Sequence, residues 1–267
     1  MTLFHKNQSY AKKTITICIN EIRRLERIFS LYQANSSINQ LNKNSFLKNP
    51  PTELVDILNI SNKISHNSNG AFDITIQPLW RLYKTHFEKN PNNLNGPSIL
   101  DIKKTKELIS WKKVIVSNKE IQLIKKNMQI TLNGIAQGYI TDRIAQILKQ
   151  KGFTNVLLDL GEIRAIGQHP NNRDWNISTP YLKDKEYIKL NSMALASSGG
   201  YGTRFNKNFH HLFNPYNGKS ANFVNSVTIM APTATLADAL STAVYVMPKS
   251  KSKKLLDLYP NTQAYIS

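Results

Sequence analysis

Residues 236–243, LADALSTA, carry side chains whose types and spacing suit a metal ion. In a helix, Asp238 and Thr242 lie four residues apart, so a carboxylate and a hydroxyl point from the same face. Mg²⁺ prefers such oxygen ligands, and substrate phosphates usually complete its coordination shell. Ser241 adds another hydroxyl beside them. The alternative is an ordinary helix without a metal. In it, the Asp238 side chain would cap the helix or face solvent, and the Thr242 hydroxyl would donate a hydrogen bond to its own helical turn.

The composition is that of a folded globular protein. The chain has 267 residues, of which 40% are apolar and 19% charged, and this length suits one large domain or two small ones. We favour one. The single cysteine, Cys18, cannot form an internal disulfide, and we expect it to be a buried side chain in a strand.

The formal net charge of +18 raises the possibility of a nucleic-acid partner. The lysines are scattered through surface-like segments, however, and no basic helix, finger pattern or aromatic RNA-reading motif is present. We therefore expect a solvated basic surface and no nucleic acid. No run of eighteen apolar residues occurs, so no transmembrane segment is expected, and the first thirteen residues are too polar for a secretory signal peptide.

Hydrophobic periodicity predicts helices and strands in mixed order. Residues 14–19 are predicted to be a strand that leads into a helix over 21–31, and residues 35–44 a polar connector. Residues 89–97 are predicted to be a long surface loop. Further helices are predicted over 51–66, 139–151 and 236–245, and further strands over 114–116, 121–124, 129–132, 155–160, 175–178, 186–190, 192–197 and 226–230.

Several spaced motifs occur in one fixed order along the chain. They are GAFDITIQPLW at 70–80, LNGIAQGYITD at 132–142, LLDLGEIRAIG at 157–167, and ALASSGGYGTRF, HLFNP and ADALSTA between 194 and 243. Together they resemble the ApbE-type flavin transferases, which are Mg²⁺-dependent FAD:protein FMN transferases. The resemblance spans roughly residues 15–260 and implies one α+β domain over 14–267, with a mixed, largely antiparallel sheet and packed helices. Residues 1–13 would be a poorly defined N-terminal segment.

The resemblance also assigns roles to residues of this chain. The Mg²⁺ ligands would be Asp238, Ser241, Thr242 and the main-chain carbonyl of Gly134. The flavin nucleotide of FAD would contact Phe72, Asp73, Ile74, Thr131, Gln137, Glu162 and Leu212. His211, and not its neighbour His210, matches the family's motif histidine, and either His211 or Asp238 would accept the proton.

Each of these assignments has a structural alternative. The glycines of the 132–138 loop also fit an ordinary strand-to-helix turn, and His211 fits a loop histidine with satisfied hydrogen bonds. Glu162 and Arg164 fit an ion pair inside the sheet as well as a grip on phosphate. Asn42 and Ser37 fit either a contact with the nucleotide or a solvated loop.

The implied reaction moves FMN from FAD to a threonine hydroxyl of an acceptor protein and releases AMP. The alternatives are a Mg²⁺-dependent FAD pyrophosphatase that yields FMN and AMP, a catalytically weak flavin-binding relative, and a basic nucleic-acid binder. By resemblance the protein would work in the cell envelope, on the periplasmic side of the inner membrane. If the leaderless N-terminus is genuine, it would be cytoplasmic.

The chain also departs from the family's usual pattern. It lacks the Met-Gly-Thr segment before the first predicted element, where MTLFHKNQSYAKKT stands instead. Gln137 replaces a lysine, Asn214 replaces an aspartate, and Gly200 stands where a polar or acidic residue is more typical. These changes bear on FAD binding and acceptor recognition and leave the predicted metal ligands intact.

Overall fold

The computed structural model describes residues 1–179 and 187–267. Its helices are α1 (Gln8–Phe29), α2 (Ser37–Asn44), α3 (Thr52–Asn67), α4 (Gln77–Lys89), α5 (Ile99–Lys106), α6 (Ala136–Gln150), α7 (Ala234–Tyr245) and α8 (Lys249–Leu256). Its strands are β1 (Thr2–Leu3), β2 (Phe46–Lys48), β3 (Val114–Val116), β4 (Glu120–Leu123), β5 (Val156–Asp159), β6 (Ile163–Ile166), β7 (Trp175–Ile177), β8 (Ile188–Leu190), β9 (Ala194–Gly199), β10 (Phe213–Asn214), β11 (Lys219–Ser220), β12 (Ser226–Ala231) and β13 (Gln263–Ile266). Short 3₁₀ turns lie at Ile74–Ile76 and Trp111–Lys113.

The central sheet has six strands in the order β1-β5-β6-β9-β12-β13. Smaller sheets are formed by β2-β4-β3, β7-β8 and β10-β11, and every strand pairing in the described residues is antiparallel. The predicted α+β class is therefore confirmed. In the described part of the chain, no helix combines the length and apolar character needed to cross a bilayer.

Helix α7 lies at the centre of the fold, packed on β9 and β12 on one side and on α6 on the other. It is buried on almost all sides because small side chains alternate with branched ones. Ala237, Ala239, Leu240 and Ala243 have no exposed surface. Alanine keeps helical propensity while letting neighbouring backbones approach closely. The helix that carries Asp238 and Thr242 is therefore one of the most enclosed elements of the molecule.

The strand predicted over residues 14–19 is wrong, because these residues form the middle of the long helix α1. The Asn7 side chain caps this helix by accepting a hydrogen bond from the Tyr10 amide at 2.9 Å. Cys18, Leu25 and Phe29 recur at helical spacing and are buried. β-branched residues weaken a helix by only about 0.7 kcal/mol each or less, so tertiary packing overrides them. Cys18 is buried as expected, but on a helix.

Other boundaries also differ from the sequence prediction. Residues 1–13 contain β1 and the first turns of α1, and the predicted connector over 35–44 contains α2, capped by Ser36. Residues 129–132 form no strand; instead the Thr131 amide donates to the Ile74 carbonyl at 2.8 Å. Helices α4 and α5 were not predicted. Residue 186, the predicted start of one strand, lies outside the described residues.

Candidate active site

One cleft gathers nearly all of the residues singled out in the sequence. It is open to solvent and has a cavity volume of about 200 Å³. Its lining comes from the 71–80 segment, the 131–137 loop, the end of β9 with the loop after it, the 211–215 segment and α7. The predicted site residues that line it are Phe72, Asp73, Ile74, Thr131, Gly134, Gln137, Glu162, His211, Leu212, Asp238 and Thr242.

Asp238 reaches this cleft from the buried helix α7. Its side chain is 5% exposed, and its Oδ2 accepts a hydrogen bond from the Gly138 amide at 3.0 Å. Burial raises the pKa of Asp238 to about 7, and the charge of Asp142 acts in the same direction. A carboxylate held with so little solvation would be stabilised in its charged form by a bound cation.

Thr242 lies one helical turn further on, against the loop that contains Gly134. A Cβ placed on Gly134 would come within 2.8 Å of the Thr242 Oγ1, so the glycine lets the backbone approach this hydroxyl. Ser198, at the end of β9, lies 3.4 Å from the same hydroxyl, measured from its Oγ. The structure thus brings a main-chain segment and two hydroxyls together beside Asp238.

Ser241 is the predicted metal ligand that does not line the cleft. It is 1% exposed, its Oγ lies 2.7 Å from the Ser198 Oγ, and it donates to the Asp238 carbonyl at 2.9 Å. Its direction follows from helix geometry, since residues 238 and 242 share a face that residue 241 partly leaves. The Ser241 side chain therefore supports Ser198 from behind, and its role as a metal ligand stays a prediction.

Acidic side chains line the cleft. Asp73, Glu162 and Asp238 line it, and no Lys or Arg does so within residues 1–179 and 187–267. Burial, together with the nearby Asp238 charge, raises the pKa of Glu162 to about 10. No group of three or more His, Cys, Asp or Glu that could hold a metal occurs in the described chain. A site made of one carboxylate, a hydroxyl and a main-chain carbonyl still fits Mg²⁺, which keeps several waters and relies on substrate phosphate.

The wall formed by residues 71–80 is mainly apolar toward the cleft. The Asp73 carboxylate is occupied by the chain itself, since Oδ1 accepts from the Thr75 amide at 2.8 Å and Oδ2 from the Trp111 amide at 3.1 Å. Burial raises the pKa of this carboxyl group. Phe72, Ile74 and the indole of Trp80 are left to form a surface that suits a flat aromatic ligand.

The two adjacent histidines have different environments. His211 lines the cleft, with its Nδ1 3.0 Å from the Thr203 carbonyl oxygen, and burial lowers its pKa. If Nδ1 donates to that carbonyl, Nε2 of the neutral ring is the proton acceptor. His210 is 7% exposed, bonds through Nε2 to the Ala221 carbonyl at 2.8 Å and packs on Tyr245. Only His211 is therefore placed for chemistry in the cleft.

Comparison with known proteins identifies the family to which this arrangement belongs. The family model for the ApbE family matches residues 2–266. The chain belongs to the ApbE family. A solved ApbE protein from Thermotoga maritima is 30% identical and superposes with a TM-score of 0.83, covering 96% of this chain and 86% of that one.

Curated relatives carry the name FAD:protein FMN transferase. The one from Haemophilus influenzae is 28% identical, and the match covers 85% of this chain and 70% of the relative. The one from Buchnera aphidicola is also 28% identical, covering 93% of this chain and 76% of the relative. The resemblance found in the sequence motifs is thus confirmed at the level of the family.

Three departures from the usual ApbE pattern have identifiable local surroundings. A Cβ on Gly200 would lie 2.7 Å from the His210 ring, so a larger residue would displace that buried histidine. Asn214 donates to the Val246 carbonyl at 3.1 Å and accepts from the Tyr216 amide at 2.8 Å, which fixes the turn after β10. Gln137 is exposed, and its side-chain amide occupies the space that a Cβ on Gly161 would need; the φ of +103° at Gly161 also disfavours any side chain there.

Several open alternatives in the sequence are decided by the hydrogen bonds. Arg164 forms an ion pair with Asp142 at 2.9 Å, so it is a structural group and not a ligand for phosphate. Asn42 exchanges two hydrogen bonds with the Ile130 backbone, at 2.7 and 2.8 Å, and so positions the chain just before Thr131. For Ser37, the structure does not decide between a contact with the nucleotide and a solvated position, so both stay open.

Sequence reasoning also missed residues that line the cleft. They are Ser197, Ser198, Tyr201, Asn133 and Trp80. The signal was present, because each of them lies within or directly beside a motif that carries the resemblance. What the motifs could not tell was which side chain of each segment turns toward the cleft.

Proposed function

We propose that this chain transfers FMN from FAD to a threonine hydroxyl of an acceptor protein, in a Mg²⁺-dependent reaction that releases AMP. The observation that carries the proposal is the convergence of Asp238, Thr242, Gly134 and His211 on one cleft that also has the apolar 71–80 wall. The names of the relatives supply the substrate, and the donor set of the cleft supports the metal.

Asp238, Thr242 and the main-chain carbonyl of Gly134 would hold the Mg²⁺ ion. When bound, the ion would neutralise charge on the pyrophosphate oxygens of FAD, which is much of what phosphoryl-type transfer requires. The chain itself offers no Lys or Arg in the described lining for this task. A dinucleotide with a negatively charged bridge would otherwise face three carboxyl groups.

The remaining lining residues would bind and orient the flavin half of FAD. Phe72, Ile74 and Leu212 would contact the ring system, while Thr131, Gln137 and Glu162 offer polar groups near the loop around Gly134. Asp73 would act indirectly, because its hydrogen bonds to Thr75 and Trp111 hold this wall in place.

His211 would accept the proton of the attacking hydroxyl. The threonine oxygen forms a bond to the phosphorus on the FMN side, the bond between that phosphorus and the bridging oxygen breaks, and AMP leaves with the bridging oxygen. The lowered pKa keeps the imidazole neutral near pH 7, which is the form a general base requires.

The test is to incubate the protein with FAD, Mg²⁺ and a threonine-containing acceptor peptide of the flavinylation type. The proposal expects stoichiometric AMP and fluorescent peptide, both suppressed by EDTA. AMP without labelled peptide would instead indicate a pyrophosphatase, and the absence of both products with bound FAD would indicate a flavin-binding relative.

We further propose, from the family resemblance alone, that the protein works in the cell envelope on the periplasmic side of the inner membrane. Fractionation of the native host with an antibody against the chain tests this directly. Recovery with cytosolic markers only would contradict it.

A further inference from the structure

Helix α6, with the loop before it, runs antiparallel to α7 in a fixed register of contacts. Gly134 lies against Thr242, the Gly138 amide donates to Asp238, and Asp142 binds the backbone at Ala234. Each step moves four residues along one segment and four residues back along the other, close to one helical turn. Gly134 and Thr242 lie at one end of this ladder, Asp238 lies in the middle, and Asp142 lies at the other end.

Asp142 binds the start of α7 through both of its oxygens. Oδ1 accepts from the Ala234 amide at 2.9 Å, and Oδ2 accepts from the Thr235 amide at 2.8 Å and from the Thr235 hydroxyl at 2.6 Å. The Thr233 hydroxyl accepts from the Leu236 amide at 3.2 Å. The first three amides of α7, which have no partner within the helix, are therefore all satisfied by side chains.

Arg164, on β6, ties this cap to the sheet. Its Nη1 lies 2.9 Å from the Asp142 Oδ1 and donates to the Pro232 carbonyl at 2.8 Å, so one guanidinium group holds both the cap and the segment leading into α7. The side chains are only 11% and 22% exposed. Because Arg164 comes from the sheet and Asp142 from α6, the pair fixes α7 relative to both of its neighbours.

We propose that Asp142, held by Arg164, is a positioning residue for the metal site, although it lies about 12 Å along α7 from Thr242 by helix rise. It would set the register in which Asp238 and Thr242 meet Gly134. A slip of one residue would turn these side chains by about 100° away from the loop. The inference rests on the proposed function, since it concerns the affinity of the site for the divalent ion.

The test measures Mn²⁺ binding, in the presence of FAD, by the electron paramagnetic resonance signal of free Mn²⁺. Asp142→Asn keeps the size of the side chain but turns an NH₂ group toward donors that need an acceptor. We expect the Kd for Mn²⁺ to rise about tenfold, with turnover recovering to within about threefold at saturating metal because Asp238 and Thr242 are unchanged. Thr235→Val removes only one of the bonds and should raise the Kd about two- to threefold, which keeps the test available if Asp142→Asn fails to fold.

Glu21→Gln is the matched control. Glu21 is also a shielded carboxylate on an arginine pair, with Arg24 and Arg143 each at 2.8 Å, but these bonds join α1 to α6 and do not bind the α7 backbone. It should lower stability without changing the Kd for Mn²⁺. If Asp142→Asn and Thr235→Val lower stability and leave the Kd within twofold of the unmodified protein, the positioning role is refuted. An unmodified protein that binds no Mn²⁺ would instead refute the metal site of the proposed function.

Discussion

The two polar walls of the cleft are built in different ways. Asp238 and Thr242 belong to a buried helix that is held by the Gly138 amide, by the Asp142 cap and by the sheet. His211 comes from another segment of the lining, after a loop in which residues 201–204 are exposed, and its ring Nδ1 lies within hydrogen-bond distance of the Thr203 backbone. The proposed metal ligands are thus positioned by the interior of the fold, whereas the proposed general base follows a loop with exposed residues, which an acceptor protein could contact.

The comparison is tested most strongly by Asp238→Asn. We expect AMP release to fall by about a thousandfold or more, because the several kcal/mol that a bound metal supplies to charge neutralisation would be lost. The melting temperature in EDTA should not fall, since the amide still accepts from Gly138 and no buried charge remains. The exposed Asp257→Asn serves as control and should change neither quantity. Unchanged turnover in Asp238→Asn would remove the metal assignment.

The loop wall is tested by the two neighbouring histidines. We expect His211→Gln to lower the rate of flavin transfer by about a hundredfold or more, with FAD affinity and melting temperature nearly unchanged. His210→Leu should do the opposite, because it leaves the buried Ala221 carbonyl without its partner and costs about 1 to 3 kcal/mol of stability. Initial rates and urea unfolding measure both. Equal loss of rate in the two variants would show that the assignment to His211 is wrong.

The same substitution on each wall should give different stabilities. A Cβ on Gly138 would lie 2.3 Å from the Ala234 carbonyl oxygen, a backbone atom that cannot move without shifting α7. We expect Gly138→Ala to cost about 1 to 3 kcal/mol despite the better helix propensity of alanine. Gly202→Ala meets only the His211 ring, at 3.3 Å, and should cost about 0.5 kcal/mol or less. Urea unfolding that ranks them in the reverse order would contradict the contrast between the walls.

The ion pairs of Glu21 with Arg24 and Arg143 lie outside both walls, and they provide a reference value for the free energy that a partly buried ion pair contributes to stability. Arg24 and then Arg143 lower the pKa of Glu21 to about 2, from a usual 4.5. Because the folded-state pKa is depressed, this stabilisation is present above about pH 4.5 and is lost as the pH falls toward 2. We expect Glu21→Gln to cost about 1 to 2 kcal/mol at pH 7, after allowance for solvent screening, and less at pH 3. Urea unfolding at both pH values measures this, with the exposed Glu26→Gln as control.

Much of the interior wall could be predicted from the sequence. The apolar periodicity around Asp238 and Thr242 predicts α7 correctly, because the apolar residues recur at helical spacing and are the ones that the fold buries. The prediction was wrong over residues 14–19, where β-branched residues indicate a strand but packing against α6 selects a helix. Helix α2 was missed for the opposite reason, since eight largely polar residues carry little periodicity and the Ser36 cap decides the outcome.

The sequence predicts which segments line the cleft, but it does not predict which way their side chains point. The motifs name the segments that meet, yet the contact between the Ser241 and Ser198 hydroxyls, which turns the Ser241 side chain out of the cleft lining, is something no spacing reveals. The Asp142 cap was also missed, although a signal was available. Residues 134, 138 and 142 recur at intervals of four, as do 234, 238 and 242, and two such series are what an antiparallel pair of helices would show.

The ladder between α6 and α7 constrains how the gene can change in length. A single codon gained or lost between Gly138 and Asp142 would leave either the cap or the Asp238 contact out of step, however well the new residue suited a helix. In the loop over residues 89–97, the same event would disturb the hydrogen bonds that its backbone accepts from His86, Asn206 and Asn208, without shifting the register of two packed helices. Substitutions over much of this basic surface would therefore be tolerated. Insertions and deletions in these two helices would be removed by selection.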